Sequence, residues 1–298
     1  MASLKETKER IGSVKSTLKI TSAMKLVSSA KLHKFSTMSQ PLKDYRTELE
    51  QCLTELGPAP ATRIETSDEP AFASLPAADF AASGKTLLIA FSANSSLCGG
   101  YNAFIIKKAR EIVLPDRQDF DCIFIGKKIK ESMSRLGVRS LRDLDHLIDH
   151  PDYAACSELA EQVLEKFNAG EYSGVKILYT HYVSTARQEI ICEDLLPFSG
   201  QTEENTAAEN EEDLEKRLIL EPGQALIRAA IQDKLLKIKV YGALMDSCLS
   251  EHAARTVAMQ TATDNAHNML DELTLEYNKG RQAKITSEIL DLAGGALE

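Results

Sequence analysis

The densest set of potentially reactive groups is Ser92–Asn102 (SANSSLCGGYN), which combines hydroxyls, amides, a thiol and two glycines. It follows an apolar run and precedes a helical pattern. A loop in that place can offer backbone N–H groups to a phosphate. The spacing matches neither G-x-G-x-x-G nor a Walker A, and no Lys-Ser/Thr pair follows the glycines. It reads instead as a tight turn packed on a long helical rod. Cys98 stands where a helix N-terminus could activate a thiol, but no His lies near it in sequence. His146 and His150 (HLIDH) have metal-ligand spacing if helical. The zinc-protease Glu is absent and Pro151 follows at once, so a solvent-facing helix end is expected. Six dispersed cysteines form no C-x-x-C pair. They read as buried thiols in a reducing compartment.

The second chemical signal is charge. The chain carries a formal −9, yet residues 1–46 hold ten Lys/Arg against Glu6, Glu9 and Asp44, leaving this segment at +7. A basic element of this kind faces an acidic protein, nucleic acid or an anionic surface. Its Lys residues are not interleaved with aromatics, which weakens the nucleic-acid reading. Residues 203–215 (EENTAAENEEDLE) carry seven acids and no base, as in an exposed, adaptable loop. No run approaches the ~18 apolar residues of a membrane span. The N-terminus lacks a secretory apolar core. It could serve as a basic organelle transit peptide, but its heptad favours a structural helix.

The elements that would position these groups are set out by the proline map. Pro58, Pro60, Pro70 and Pro76 crowd an Ala/Ser-rich stretch, and no proline follows Pro222. The expected organisation is a helix over 1–56, a linker or insert over 57–84, a mixed α/β domain over 85–221 and a second long helix over 222–298. The first helix keeps a 3-4 spacing from Leu4, Thr7, Ile11 and Val14 through Thr21, Lys25, Ser28 and Phe35 to Leu56. That is a coiled-coil seam with polar layers. Pro41 is expected to kink it or break one turn. The last helix repeats the spacing at Leu235, Ile238, Met245, Leu249, Met259 and Ala266, weakened at Gly242 and Gly280 and ending at Gly294-Gly295.

Equal periods at both ends predict an intramolecular antiparallel coiled coil. The longer second helix would project its last ~15–20 residues alone beyond Met1. Between the helices, Lys85–Phe91, Asp121–Gly126, Val175–His181 and Arg187–Leu196 read as strands. Residues 103–113, Lys127–Leu136 and Asp152–Phe167 read as helices. This alternation predicts a small α/β domain with a mostly parallel sheet.

Residues 11–32 (IGSVKSTLKITSAMKLVSSAKL) and 277–296 (YNKGRQAKITSEILDLAGGA) resemble the terminal signatures of the F-type ATP synthase gamma subunit. Residues 251–273 and the loop Leu97–Asn102 (LCGGYN) resemble its other signatures. The resemblance covers essentially the whole chain. It implies a non-catalytic central rotor shaft, with a Rossmann-like middle domain at its base. The coiled coil would stand in a ring of alpha and beta subunits. The base would sit with the epsilon subunit on the c-ring, where proton or sodium flow turns it. ATP and magnesium would bind the alpha/beta subunits, and this chain would hold no cofactor or metal. The location implied is peripheral, on the cytoplasmic face of a bacterial inner membrane or the matrix or stromal face of an organelle membrane. Neither bilayer insertion nor nucleic acid enters.

By the family's pattern, Met24, Lys25, Arg281, Gln282, Thr286 and Glu288 would contact beta subunits. Ile285, Ile289 and Leu292 would line the apolar sleeve around the tip. Thr21, Ser22, Ser28 and Ser29 would limit adhesion of the shaft's outer face. Two other readings remain at this point. One is an enzyme with a nucleotide behind Ser92–Asn102. The other is a coiled-coil adaptor, either with a ligand-binding α/β domain or for nucleic acid.

Overall fold

A computed structural model describes residues 4–56, 84–197, 220–221 and 223–295, with the side chains of 291–295 left out. The acidic 203–215 stretch and all but the last residue of the expected 57–84 linker lie outside the described residues. Two helices dominate: α1, Leu4–Glu55, and α6, Gln224–Gly295. Their 52 and 72 residues correspond to rods of roughly 78 and 108 Å.

The two run antiparallel in one constant register. Leu4 meets Gly280, Thr21 meets Thr263 and Leu42 meets Gly242. The residue numbers in each pair add to the same total, so the seam holds over this whole span. The buried positions of α1 are Thr7, Thr21, Ser28, Phe35 and Ser39, all on the expected seam. Their spacing is close to sevenfold, the repeat of a left-handed coiled coil. Hydroxyls therefore fill the most buried layers. Thr263 Oγ1 donates to Thr21 Oγ1 at 3.0 Å across the seam, an interaction that fixes register more than it adds stability.

α1 runs unbroken through Pro41, without the break of a turn that one form of the expectation allowed. The carbonyl its ring leaves unpaired belongs to Thr37. Both residues are on the exposed face, where water can satisfy that oxygen. Gly280 makes room for Leu4. A Cβ there would lie 3.0 Å from Leu4 Cδ2.

The middle domain is a four-stranded sheet in the order β2-β1-β3-β4. Its strands are β1 Lys85–Phe91, β2 Phe120–Ile125, β3 Tyr172–Tyr182 and β4 Gln188–Leu196. β1 pairs in parallel with β2 and β3, and β4 closes the edge antiparallel to β3. The helices are α2 Tyr101–Val113, α3 Lys127–Arg135, the single turn α4 His146–Asp149, and α5 Tyr153–Asn168. Asp152 caps α5 by accepting from the Ala154 and Ala155 N–H groups.

Strand β1 is apolar from Leu87 to Phe91, where both sheet faces are covered. On one face Leu88, Ala90, Phe124 and Leu178 pack with Ile105 of α2 and Ile129 and Met133 of α3. On the other, Leu87, Ile89, Phe91, Ile125 and Ile177 pack with α5 and with Leu236, Val240, Leu244 and Leu249 of α6. The long helix is thus one wall of the domain's own core. Base and shaft share a single apolar interior.

Candidate functional site

The Ser92–Asn102 loop is a turn fastened to α6. Leu97 and Gly99 both take positive φ (67° and 58°), which folds the chain back tightly. Asn102 ties the turn internally: its Oδ1 accepts from Ala93 N, and its Nδ2 donates to the Ser95 carbonyl and the Cys98 sulfur. Tyr101 donates its hydroxyl to the Ser247 carbonyl at 3.2 Å. Arg255 Nη2 donates to Ser95 Oγ and to Glu251 Oε1, both at 2.6 Å. The expected packing of this loop on the rod is what the fold shows.

Burial raises the Cys98 thiol pKa, the reverse of an activated nucleophile. His146 and His150 sit exposed at the two ends of α4. Among the described residues no group of three or more His, Cys, Asp or Glu could hold a metal. All six cysteines are free; Cys98, Cys122, Cys156 and Cys248 are buried. Cys52 and Cys192 are exposed, which corrects the expectation of buried thiols. Cys192 lies on the edge strand β4, paired with Leu178 of β3.

Glu251, His252 and Arg255 form a buried polar cluster beside the loop. Burial raises the Glu251 pKa, against the pull of Arg255. The same burial lowers His252 to about 4, with Arg255 and Lys31 adding to the shift and Asp149 opposing it. The neutral imidazole stacks on Phe35 of α1, ring centroids 5.4 Å apart. Sequence resemblance marked 251–273 without giving these side chains a role. The available signal was a Glu–Arg pair at i, i+4 inside an otherwise small and apolar stretch.

The residues expected to contact a partner fall at two heights on the rod. Lys25 is level with Met259 by the seam register. Met24 and Lys25 are half-buried, and the loop packs at the same level, with Gly99 beside Ala258. Arg281 stands 22 residues beyond Met259, roughly 33 Å further along the helix. Past Gly280, where α1 ends, every residue from Arg281 to Leu290 is exposed. The expected lone tip is therefore present.

At about 100° per residue, Ile285, Ile289 and Leu292 lie on one stripe of this tip. Arg281 and Glu288 border it on one side, Gln282 and Thr286 on the other. Ile285 and Ile289 are 46% and 59% exposed. The Leu292 side chain lies outside the described residues. Glu288 is 3.7 Å from Lys284, and Thr286 donates its hydroxyl to the Gln282 carbonyl. Neither is committed to another element.

Two expectations about the first helix change. Thr21 and Ser28 face α6 in the seam, so they do not thin the outer surface; Ser29 alone of the four is fully exposed. Of the ten basic residues, Lys43 pairs with Asp246 and Arg46 with Glu50. The free positive charge lies nearer the N-terminal half of α1.

The arrangement is mechanical rather than chemical: a rigid base, a stiff two-helix shaft and a single-helix tip. A family model described as ATP synthase matches residues 3–297. The ATP synthase gamma chain of Bacteroides thetaiotaomicron is 39% identical over 308 residues, covering all of both chains. That of Phocaeicola vulgatus is 37% identical, again over the full length of both. The fold is also similar to a chain of the Euglena gracilis mitochondrial ATP synthase rotor, with TM-score 0.61 and 18% identity over 95% of this chain and 98% of that one. It is likewise similar to a chain of the central stalk and c-ring structure of the Tetrahymena thermophila enzyme, with TM-score 0.56 and 21% identity over 82% of this chain and 99% of that one. With the whole length matched by the family and by gamma chains above 35% identity, the chain belongs to the ATP synthase gamma-chain family.

Proposed function

We propose that this gamma chain, a non-catalytic subunit without its own cofactor, works as the central shaft of its ATP synthase in the following way. The α/β domain forms the base, beside the epsilon subunit on the c-ring. The coiled coil passes into the ring of alpha and beta subunits, which hold ATP and magnesium. Ion flow turns the base, and the shaft's asymmetry moves the three beta sites in turn through open, loose and tight states. The chain is peripheral, and no described helix is long and apolar enough to cross a membrane. Its place is the cytoplasmic face of a bacterial inner membrane, or the equivalent face of an organelle membrane.

The observation that carries this reading is the tip. Ten consecutive residues of α6 stand exposed beyond the end of α1, with an apolar stripe that none of the described residues covers. Such a stripe needs an apolar sleeve supplied by other chains. Ile285, Ile289 and Leu292 fill that role. Arg281, Gln282, Thr286 and Glu288 bond the beta subunits around it. Met24 and Lys25 make a second contact lower down, at the height of the Ser92–Asn102 turn. Among the described residues no hydrogen bond or ion pair holds Arg281, so Arg281→Ala tests the tip directly. It weakens assembly with isolated alpha and beta subunits, or coupling, while the thermal midpoint of the free chain stays within about 1 °C, since surface changes shift stability by only ~0.5 kcal/mol. Normal assembly and coupling by the variant would remove Arg281 from the contact. ATP hydrolysis by alpha and beta that ignores the chain altogether would sink the reading.

A further inference from the structure

Asp246 is a buried carboxylate on α6 whose two oxygens reach two different elements. Oδ2 is 2.6 Å from Nδ1 of His181 on β3. Oδ1 is 3.1 Å from Nζ of Lys43 on α1, an ion pair without hydrogen-bond alignment. The Asp246 side chain is 9% exposed, against 34% for His181 and 40% for Lys43. One residue therefore joins the base sheet and both shaft helices. Other polar ties between base and shaft reach α6, among them Ser250 Oγ donating to the Thr180 carbonyl at 3.0 Å, Tyr101 to the Ser247 carbonyl and Arg255 to Ser95 Oγ, while on α1 Arg46 feels the charge of Glu193 on β4.

The apolar core between sheet and shaft resists separation but has no preferred direction. Side chains packed by area alone can slip past one another under a sideways load. Charged and hydrogen-bonded contacts have fixed geometry and resist that motion. A turning base applies such a load where β3 lies against α6, beside α1. Asp246 stands at that crossing, desolvated enough for its contacts to be strong.

We infer that Asp246 is a positioning residue for energy coupling: it pins the base to α1 and α6 together, so that rotation of the base turns both helices without slip. This rests on the rotor-shaft reading. It adds where, within this chain, torque passes from base to shaft.

The test uses the complete ATP synthase complex carrying this chain, reconstituted in lipid vesicles. ATP hydrolysis is measured alongside ion pumping, the latter as membrane potential reported by a voltage-sensitive dye. For Asp246→Ala the pumping-to-hydrolysis ratio falls at least about threefold, with hydrolysis within about twofold of the parent. Asp246→Glu, which keeps the charge, recovers at least half of the lost ratio. Ser250→Ala, which removes a tie to α6 alone, leaves the ratio unchanged. Should Asp246→Ala fail to assemble, the double variant Lys43→Met with His181→Asn breaks the same contacts from their more exposed ends and shows the same fall. An unchanged ratio in the double variant, or an equal fall in Ser250→Ala, overturns the pin. A parent complex that hydrolyses ATP without pumping would instead count against the rotor reading itself.

Discussion

Replacing Arg255 tests how the loop, the shaft and the base are held together. Arg255 and Glu251 are paired at 2.6 Å, with side chains 9% and 7% exposed. In Arg255→Met the methionine fills similar volume, but the Glu251 carboxylate keeps its buried place without a counter-charge. Breaking a buried pair from one side costs about 3–5 kcal/mol. Loss of the hydrogen bond to Ser95 falls within that range. The variant has one escape, which is protonation of Glu251. Burial already raises its pKa while Arg255 holds it down, so removing Arg255 raises it further. A folded-state pKa above the unfolded one means the folded chain binds the extra proton. Stability then falls as pH rises from the unfolded carboxyl pKa through the folded one. The destabilisation of Arg255→Met is therefore larger at about pH 8 than at about pH 5. Removing both charges, in Arg255→Met with Glu251→Leu, returns most of the loss. The assay is urea unfolding of the free chain followed by far-ultraviolet circular dichroism, since the chain has no Trp. A loss below about 1 kcal/mol, or an equal loss at both pH values, would refute the argument.

Four other outcomes follow from the structure. His252 is neutral when folded, with its pKa lowered from 6.5 to about 4. Its contribution is complete above the unfolded pKa and is lost as pH falls toward the folded one, by about 3 kcal/mol in all. His252→Gln flattens the stability profile over that window, and a profile identical to the parent's would contradict it. Thr21→Val with Thr263→Val removes both partners of the seam hydroxyl pair, so thermal stability is unchanged or raised by about 1 kcal/mol; a fall of the melting midpoint would show that the polar layer is needed for stability. Gly126 has φ 120°, and a Cβ there would lie 2.1 Å from the Ser92 carbonyl oxygen. Gly126→Ala therefore loses on the order of 3 kcal/mol, read as a lower thermal midpoint, and an unshifted midpoint would be the wrong result for this geometry. Ile285→Ser with Ile289→Ser changes no internal contact, so the free chain melts as the parent does while binding to the alpha/beta ring weakens; tight binding by this variant would leave the sleeve without support.

Periodic features were the most legible in sequence. The seam of α1 shows because a 3-4 spacing survives even where Thr and Ser occupy it. β1 shows because a strand covered on both faces is apolar at successive positions, here Leu87 to Phe91. The overhang of α6 follows from two helix lengths and one antiparallel turn of the chain. Contacts between distant residues were not legible. Nothing local to Lys43, His181 or Asp246 announces that they meet, because the meeting depends on the seam register and on how β3 lies against α6. The spacing placed Thr21 and Ser28 on the seam, where they are buried, but a small hydroxyl residue in a heptad also suits a sparse outer face, so limited adhesion could be read only at Ser22 and Ser29. Cys192 was misread because edge and central strands have similar composition. The roles of individual tip residues came from resemblance, since an exposed helix carries no imprint of the chain that surrounds it.

The proposed shaft turns inside a stationary ring of alpha and beta subunits. The exposed thiols among the described residues are Cys52 and Cys192. A Cys52→Ser chain therefore offers Cys192, on the base, as a handle for a bead. With the alpha/beta ring fixed to a surface and ATP supplied, the bead is predicted to rotate in one direction with three equal pauses per turn. Hydrolysis at the parent rate with a bead that shows only Brownian motion would contradict the account.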